Sequence, residues 1–342
     1  MPLLEADRVT KTFLREGHAR IHALNGVSVS VEPGEAVGVV GESGSGKSTL
    51  GRLIIGTHRP DSGAILFRGE DLGRLDAKQL RKVRGEISIV FQEPHAAFDP
   101  RWTVGSIVGE PLLIHRPDMS GRQRRERVIQ ALRSVTLDES MYDRYPRSLS
   151  TGQAQRVGIA RATVTDPKLI VLDEPTSSLD LSIRAQILRL LARLQKALGV
   201  SYLLISHDIR SVRVTTQRTV VMYLGQIMES GPTDTILSAP RHPYTQMLLD
   251  SETTIHPRAQ RRVPAPLGEI PSPTQLPTGC FFYSRCPLRI DACAAAPVAL
   301  RTIAPGHEVA CIRVDATARG AVGTPESRIA VPADAAATSA VS

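Results

Sequence analysis

The sequence predicts an α/β protein with a mainly parallel sheet, a helical insertion and a small C-terminal appendage. Three observations carry that expectation. Runs rich in Val, Ile and Leu alternate with stretches of helical periodicity. One such run, "EAVGVV" (35–40), leads directly into the glycine-rich "GESGSGKST" (41–49). From about residue 255 the texture turns proline-rich, which marks a boundary. A chain of 342 residues is long enough for one large domain plus an appendage, or for two domains. Aromatic residues make up only 4%, so the core is expected to be mostly Val, Ile, Leu and Ala.

The first element is the buried strand at 35–40, followed by a helix from Lys47 to Thr57. Between them "GESGSGKST" fits the phosphate-loop pattern G-x-x-x-x-G-K-[ST], placed after a strand and opening a helix as the pattern requires. Gly41, Gly44 and Gly46 let the backbone curl so that amides around Glu42, Ser43 and Ser45 point at phosphate oxygens. The helix N-terminus adds its positive end. Lys47 supplies a full charge, and Ser48, beside Thr49, offers a hydroxyl to Mg²⁺.

Residues 104–147 read as helical and basic, with "GRQRRERVIQALRSV" as a solvated helix face. "KLIVLD" (168–173) and "SYLLIS" (201–206) are two further buried strands, with the helical "LSIRAQILRLLARLQKAL" between them. Asp173 and Glu174 close the first of these strands. Alternation along a strand is expected to aim Asp173 at Mg²⁺ and Glu174 at an attacking water.

A net charge of +8 suits nucleic acid, phosphates or an anionic membrane equally, and chooses among none of them. The N-terminus lacks the pattern of a signal peptide, and the most apolar window is interrupted by Arg189, Arg193 and Lys196. A soluble, cytosolic chain is therefore expected. In a reducing compartment, clustered cysteines point to metal or redox chemistry before disulfides.

A third motif, "LSTGQAQRVGIARA" (149–162), precedes "LIVLDEPTSSLD" (169–180) and resembles the signature of ABC-type ATPases. Gln92 in "IVFQEP", Asp180 in "SSLD" and His207 in "LISHD" resemble the family's glutamine loop, D-loop and switch histidine. The resemblance spans roughly residues 5–235 and implies a RecA-like ATPase core. It also implies that two such domains pair head to tail and trap ATP between the phosphate loop of one and the signature of the other. Ser150, Thr151, Gly152 and Gln153 would then act in trans on a partner's nucleotide. Glu174 and His207 would be catalytic, Gln92 would join Ser48 and Asp173 around Mg²⁺, and Phe13 would stack on adenine. Thr151 departs from the family's usual glycine. A Cβ is tolerated there only if the backbone avoids positive φ, and weakened closure is the expected consequence.

"HPYTQMLL" (242–249) and "LGEIPSPTQLPTGCFFYSRC" (267–286) resemble the C-terminal extension of ATP-binding subunits from dipeptide, oligopeptide and nickel importers. The expected organisation is an ATPase domain over 1–250 with a helical subdomain at about 93–160, an extension over 251–312, and a disordered tail over 313–342. All four cysteines, Cys280, Cys286, Cys293 and Cys311, lie in that extension. Some members of the subfamily carry an iron–sulfur cluster there. Four thiolates suit a [4Fe–4S] cluster, zinc is an alternative, and free or disulfide-linked cysteines are another. Such ligation would clip a segment too poor in core residues to fold by itself.

The resemblance implies an ATPase that energises peptide uptake from the cytoplasmic face of the cell membrane. Its expected partners are two membrane-spanning permease subunits, a second related ATPase and, indirectly, an extracellular solute-binding protein. Import of nickel or another small solute is the alternative. A soluble ABC ATPase acting on nucleic acid is a lesser one, because neither a coiled-coil insertion nor a second ATPase domain is present.

Overall fold

The computed structural model describes residues 1–14, 19–252 and 266–314. The expected disordered tail lies, from residue 315, outside the described residues.

The chain opens with an antiparallel pair, β1 (Leu4–Leu14) and β2 (Arg20–Val31). Then β3 (Ala36–Val40) runs into α1 (Lys47–Ile54). The strands β4 (Ser62–Phe67) and β5 (Glu70–Asp71) return to the first pair, giving a four-stranded antiparallel sheet ordered β2-β1-β4-β5. After α2 (Ala77–Arg84) and β6 (Ile87–Val90) come three helices that pack on one another: α3 (Val104–His115), α4 (Gly121–Ser134) and α5 (Thr151–Thr163). The core resumes with β7 (Leu169–Asp173), α6 (Leu181–Leu198), β8 (Ser201–Ser206), α7 (Ile209–Thr215) and β9 (Arg218–Tyr223). Next are β10 (Gln226–Pro232), α8 (Thr233–Ser238) and α9 (Pro243–Glu252). The extension holds α10 (Ala292–Ala295), β11 (Arg301–Ala304) and β12 (His307–Val309).

The main sheet is ordered β11-β12-β10-β9-β3-β8-β7-β6, and its centre from β9 to β6 is parallel, as the sequence predicts. All five residues of β3 are buried, as expected for a strand covered on both faces. Alternation still operates within that apolar run. Val37 and Val39 enter the core shared with α1 and the antiparallel sheet, whereas Ala36 and Val40 enter the core shared with the helices. Gly38 is required by close packing, because a Cβ there would stand 2.6 Å from Val212 Cγ1 on α7.

The extension was expected to need a metal clip for want of core residues. Instead it borrows the core of the larger domain. Phe282 is fully buried, with its ring 5.5 Å from that of Tyr223 on β9 and 5.4 Å from that of Tyr244 on α9. Strand β12 pairs with β10. Beneath that pairing the buried Glu229 carboxylate accepts from His307 Nε2 at 2.8 Å and from the amides of Arg241 and His242 at 2.7 and 3.0 Å. A carboxylate this deep is tolerable only with such a full set of donors.

Candidate nucleotide-binding site

The parallel strands β3, β7 and β8 end at one edge of the sheet, and the site is built on those ends. Leaving β3, the chain turns through Gly41, whose φ is +155°; a Cβ there would lie 2.2 Å from the Met222 carbonyl oxygen. Gly46 precedes α1 with φ +98°, and a Cβ would lie 2.3 Å from the Ala23 oxygen. The loop can pass this closely under β2 and β9 only with glycine at both positions. No side chain caps the start of α1, so its first amides stay open to a ligand.

Lys47 Nζ donates to the carbonyls of Gly41 and Glu42, each at 2.8 Å, and to Ser45 Oγ at 3.2 Å. Burial lowers the Lys47 pKa, while the carboxylates of Glu174, Asp173 and Glu42 pull it back up. Ser48 Oγ donates to Asp173 Oδ1 at 3.1 Å, bringing together two of the three expected Mg²⁺ ligands. Burial raises the Asp173 pKa, the Ser48 bond opposes that, and Glu174 adds to it. A hydroxyl and a carboxylate are the hard oxygen donors that Mg²⁺ takes, so the residues fit that ion.

Glu174 corrects one step of the sequence reasoning. The strand β7 ends at Asp173, and Glu174 stands beyond it with φ +47°. A turn therefore aims its carboxylate, not strand alternation. Its amide donates to the Ile205 oxygen of β8 at 2.9 Å, and its Oε2 lies 3.0 Å from His207 Nδ1. A non-glycine residue at positive φ stores backbone strain of order 1 kcal/mol.

These residues line a cleft of about 660 Å³ that brings together Phe13, the loop from Ser43 to Thr49, Gln92, Glu174 and His207. Phe13 meets the ring of His58 edge-on at 5.6 Å. Glu42 does not line the cleft; its carboxylate is held by Arg285 instead.

The signature residues Ser150–Gln153 are also outside the lining. Ser150 caps α5, accepting from the Gln153 amide at 3.3 Å while its own amide donates to Gln153 Oε1 at 3.0 Å. Thr151 opens the helix without positive φ, so its Cβ meets no backbone penalty. Asp180 caps α6 by accepting from the Ile183 amide at 3.0 Å, a bond that lowers its pKa. The two capped ends touch: a Cβ on Gly152 would stand 3.0 Å from Ile183 Cγ2.

The four cysteines are free. Cys280 donates its amide to the Cys293 oxygen at 2.7 Å, and each of the four thiols lies within electrostatic reach of the other three. Burial pushes Cys286 up to about 12 and Cys311 up to about 11, and the neighbouring thiols add to both shifts. Among the described residues, however, no three His, Cys, Asp or Glu side chains form a group that could hold a metal ion as placed. Soft thiol donors suit an iron–sulfur or zinc group by chemistry, but their placement falls short of ligation.

Sequence reasoning missed the contribution of the extension to this site. Pro273 lines the cleft, fixed by the His22 amide donating to its oxygen at 3.0 Å, and Arg285 reaches the phosphate loop. No local pattern links these positions to residues more than 200 places earlier.

Residues 24–177 match the ABC transporter family, and residues 228–293 match the family described as oligopeptide/dipeptide transporter, C-terminal region. The chain is 42% identical over 312 residues to a putative peptide import ATP-binding protein of Brucella ovis, covering 91% of this chain and 98% of that protein. It is equally identical over 319 residues to the dipeptide transport ATP-binding protein DppF of Escherichia coli, covering 92% and 95%. Among solved structures it is similar to the ATP-binding cassette MJ0796, dimeric and bound to ADP and Pi, with a TM-score of 0.62 and 33% identity over 67% of this chain and 98% of that one. Similarity to cbiO1 of Clostridium perfringens gives the same TM-score at 30% identity, over 70% of this chain and 91% of that one.

Proposed function

The chain belongs to the ABC transporter ATPase family, and from that membership we propose that it is the ATP-hydrolysing subunit energising di- and oligopeptide uptake. The observation that carries this reading is one chain joining a phosphate-loop cleft to the C-terminal region of peptide transporters.

In this reading the loop amides and Lys47 bind the phosphates, and Phe13 packs against the base. Ser48, Asp173 and Gln92 hold Mg²⁺, which when bound neutralises phosphate charge. Water attacks the γ-phosphorus, its proton passes to Glu174, and the bond to the ADP oxygen breaks. His207 orients Glu174 through their 3.0 Å contact. A second, related ATPase places its phosphate loop against Ser150, Thr151, Gly152 and Gln153. The surface position of Ser150 and Thr151, outside the chain's own cleft, supports action in trans.

No helix among the described residues is long and apolar enough to cross a membrane, so attachment would run through two membrane-spanning partners. On the basic helix α4, Arg122, Arg125, Arg127 and Arg133 already have surface partners in Glu126, Asp143, Asp166 and Glu139. Exposed Phe91, Trp102, Leu113 and Ile114, in or beside the helical subdomain at about 93–160, suit that attachment better. In this reading hydrolysis belongs to the ATPase domain over 1–250, while the extension over 251–312 carries the four-cysteine module and adds Pro273 to the cleft wall. The donor chemistry of four cysteines in one short module, rather than their placement, is what favours a [4Fe–4S] cluster there, with zinc as the alternative, and the thiols would have to draw closer to ligate either.

The test is ATP-dependent uptake of a labelled dipeptide by the complex reconstituted in liposomes with its membrane subunits and binding protein. Uptake that requires ATP supports the proposal; transport of nickel without dipeptide would replace it.

A further inference from the structure

The nucleotide cleft borrows a charge from the C-terminal extension. Arg285, only 7% exposed, donates from Nη1 and Nη2 to the two carboxylate oxygens of Glu42 at 2.7 and 3.1 Å. Its guanidinium sits 5.8 Å from the ring centroids of both Tyr223 and Phe282. A bidentate fork seated against two aromatic rings is a rigid arrangement that lysine would not reproduce.

Every polar group of Glu42 is committed. Its carboxylate holds Arg285, its amide donates to Tyr244 Oη at 2.9 Å, and its carbonyl accepts from Lys47 Nζ at 2.8 Å. The carbonyl also accepts from the Ser45 amide at 3.2 Å, and two of these four partners, Arg285 and Tyr244, come from beyond the phosphate loop. The charge balance explains why this matters. Lys47 already faces the carboxylates of Asp173, Glu174 and Glu42. A polyanionic triphosphate entering beside an unpaired Glu42 would meet further repulsion in a partly buried site, where screening is weak.

We propose that Arg285 is a positioning residue of the ATP site, supplying from the C-terminal extension the counter-charge that cancels the Glu42 carboxylate beside the phosphate loop. This deepens the reading of the cleft as an ATP site and rests on it. The extension is then a working wall of that site, with Pro273 beside the cleft and Arg285 behind the loop.

The test is titration of the full chain with ATP and with ADP, in the wild type and in the variants Arg285→Ala, Glu42→Gln and the double variant. Arg285→Ala should weaken ATP binding about tenfold, the scale of one partly screened charge interaction, and ADP binding less. The loss should shrink as salt is raised. Glu42→Gln alone should bind ATP as tightly as the wild type or more tightly, and in the double variant it should restore most of the lost affinity. A purely packing role predicts the opposite pattern: both single variants weaken ATP and ADP alike, with no recovery in the double variant. That pattern, or unchanged affinity in Arg285→Ala, overturns the proposal. If Arg285→Ala does not fold, Glu42→Gln decides by itself, and weaker ATP binding there overturns it. A wild-type chain that binds no ATP would overturn the site reading and this inference together.

Discussion

Glu174 Oε2 lies 3.0 Å from His207 Nδ1, joining the ends of the adjacent parallel strands β7 and β8. The contact fixes a carboxylate that its own strand does not orient, since Glu174 sits past the end of β7 at φ +47°. His207→Ala should therefore release Glu174 from its working position. Hydrolysis by the assembled complex should fall by about 10²–10⁴-fold, the range for a misplaced general base, while ATP affinity changes far less. Steady-state rates beside equilibrium ATP binding check this; equal losses in both would contradict it.

The His242 side chain is buried, and burial pushes its pKa down to about 4 against the pull of the Glu229 carboxylate. Its Nδ1 accepts from the Tyr244 amide at 3.0 Å, as a neutral ring does. A base that is harder to protonate when folded gives stability that is complete above its unfolded value and lost as pH falls through the folded one. Stability should thus drop between pH 6.5 and about 4, by roughly 3 kcal/mol from this group. Urea unfolding across that range should show the slope, and His242→Gln should flatten it.

Phe282 anchors the extension among Tyr223, His242 and Tyr244. Phe282→Ala should cost about 3–5 kcal/mol, as for a large buried aromatic. Chemical unfolding would read that loss. Protease cleavage within residues 266–314 should quicken in the same variant, and a variant as resistant as the wild type would count against the docking described here.

If the proposed cluster loads, anaerobic purification followed by iron and acid-labile sulfide assay gives about four of each per chain, lost in Cys286→Ser. Because buried Cys286 and Cys311 hold their protons tightly, loading such a group must release protons, and affinity should fall as pH drops. Zinc in place of iron would make the module purely structural. Absence of any metal after anaerobic purification would leave a packed four-thiol module with no cofactor.

Much of the central sheet was legible in the sequence because its strands are continuous apolar runs; "SYLLIS" (201–206) is β8 residue for residue. The phosphate loop was legible because its glycines and lysine lie within nine positions. The antiparallel sheet was not. Its long strand β1 breaks register with β2 at three places, between Ala6 and Val9, Val9 and Thr10, and Lys11 and Thr12, which scrambles the period-2 signal. Glu174 was expected to be aimed by strand alternation, and the structure aims it by a turn instead, since one residue of positive φ leaves no trace in an apolar pattern. Arg285 was unreadable for a different reason. It pairs with a residue 243 positions away, and only folding of the extension onto β9 and α9 brings the two together.

The most direct test of the account is ATP hydrolysis by the assembled complex carrying Glu174→Gln, with ATP binding measured on the same preparation. Removing the carboxylate while keeping its shape should abolish turnover and leave ATP bound. Hydrolysis at the wild-type rate would contradict the account, because the base would then lie elsewhere than at the end of β7.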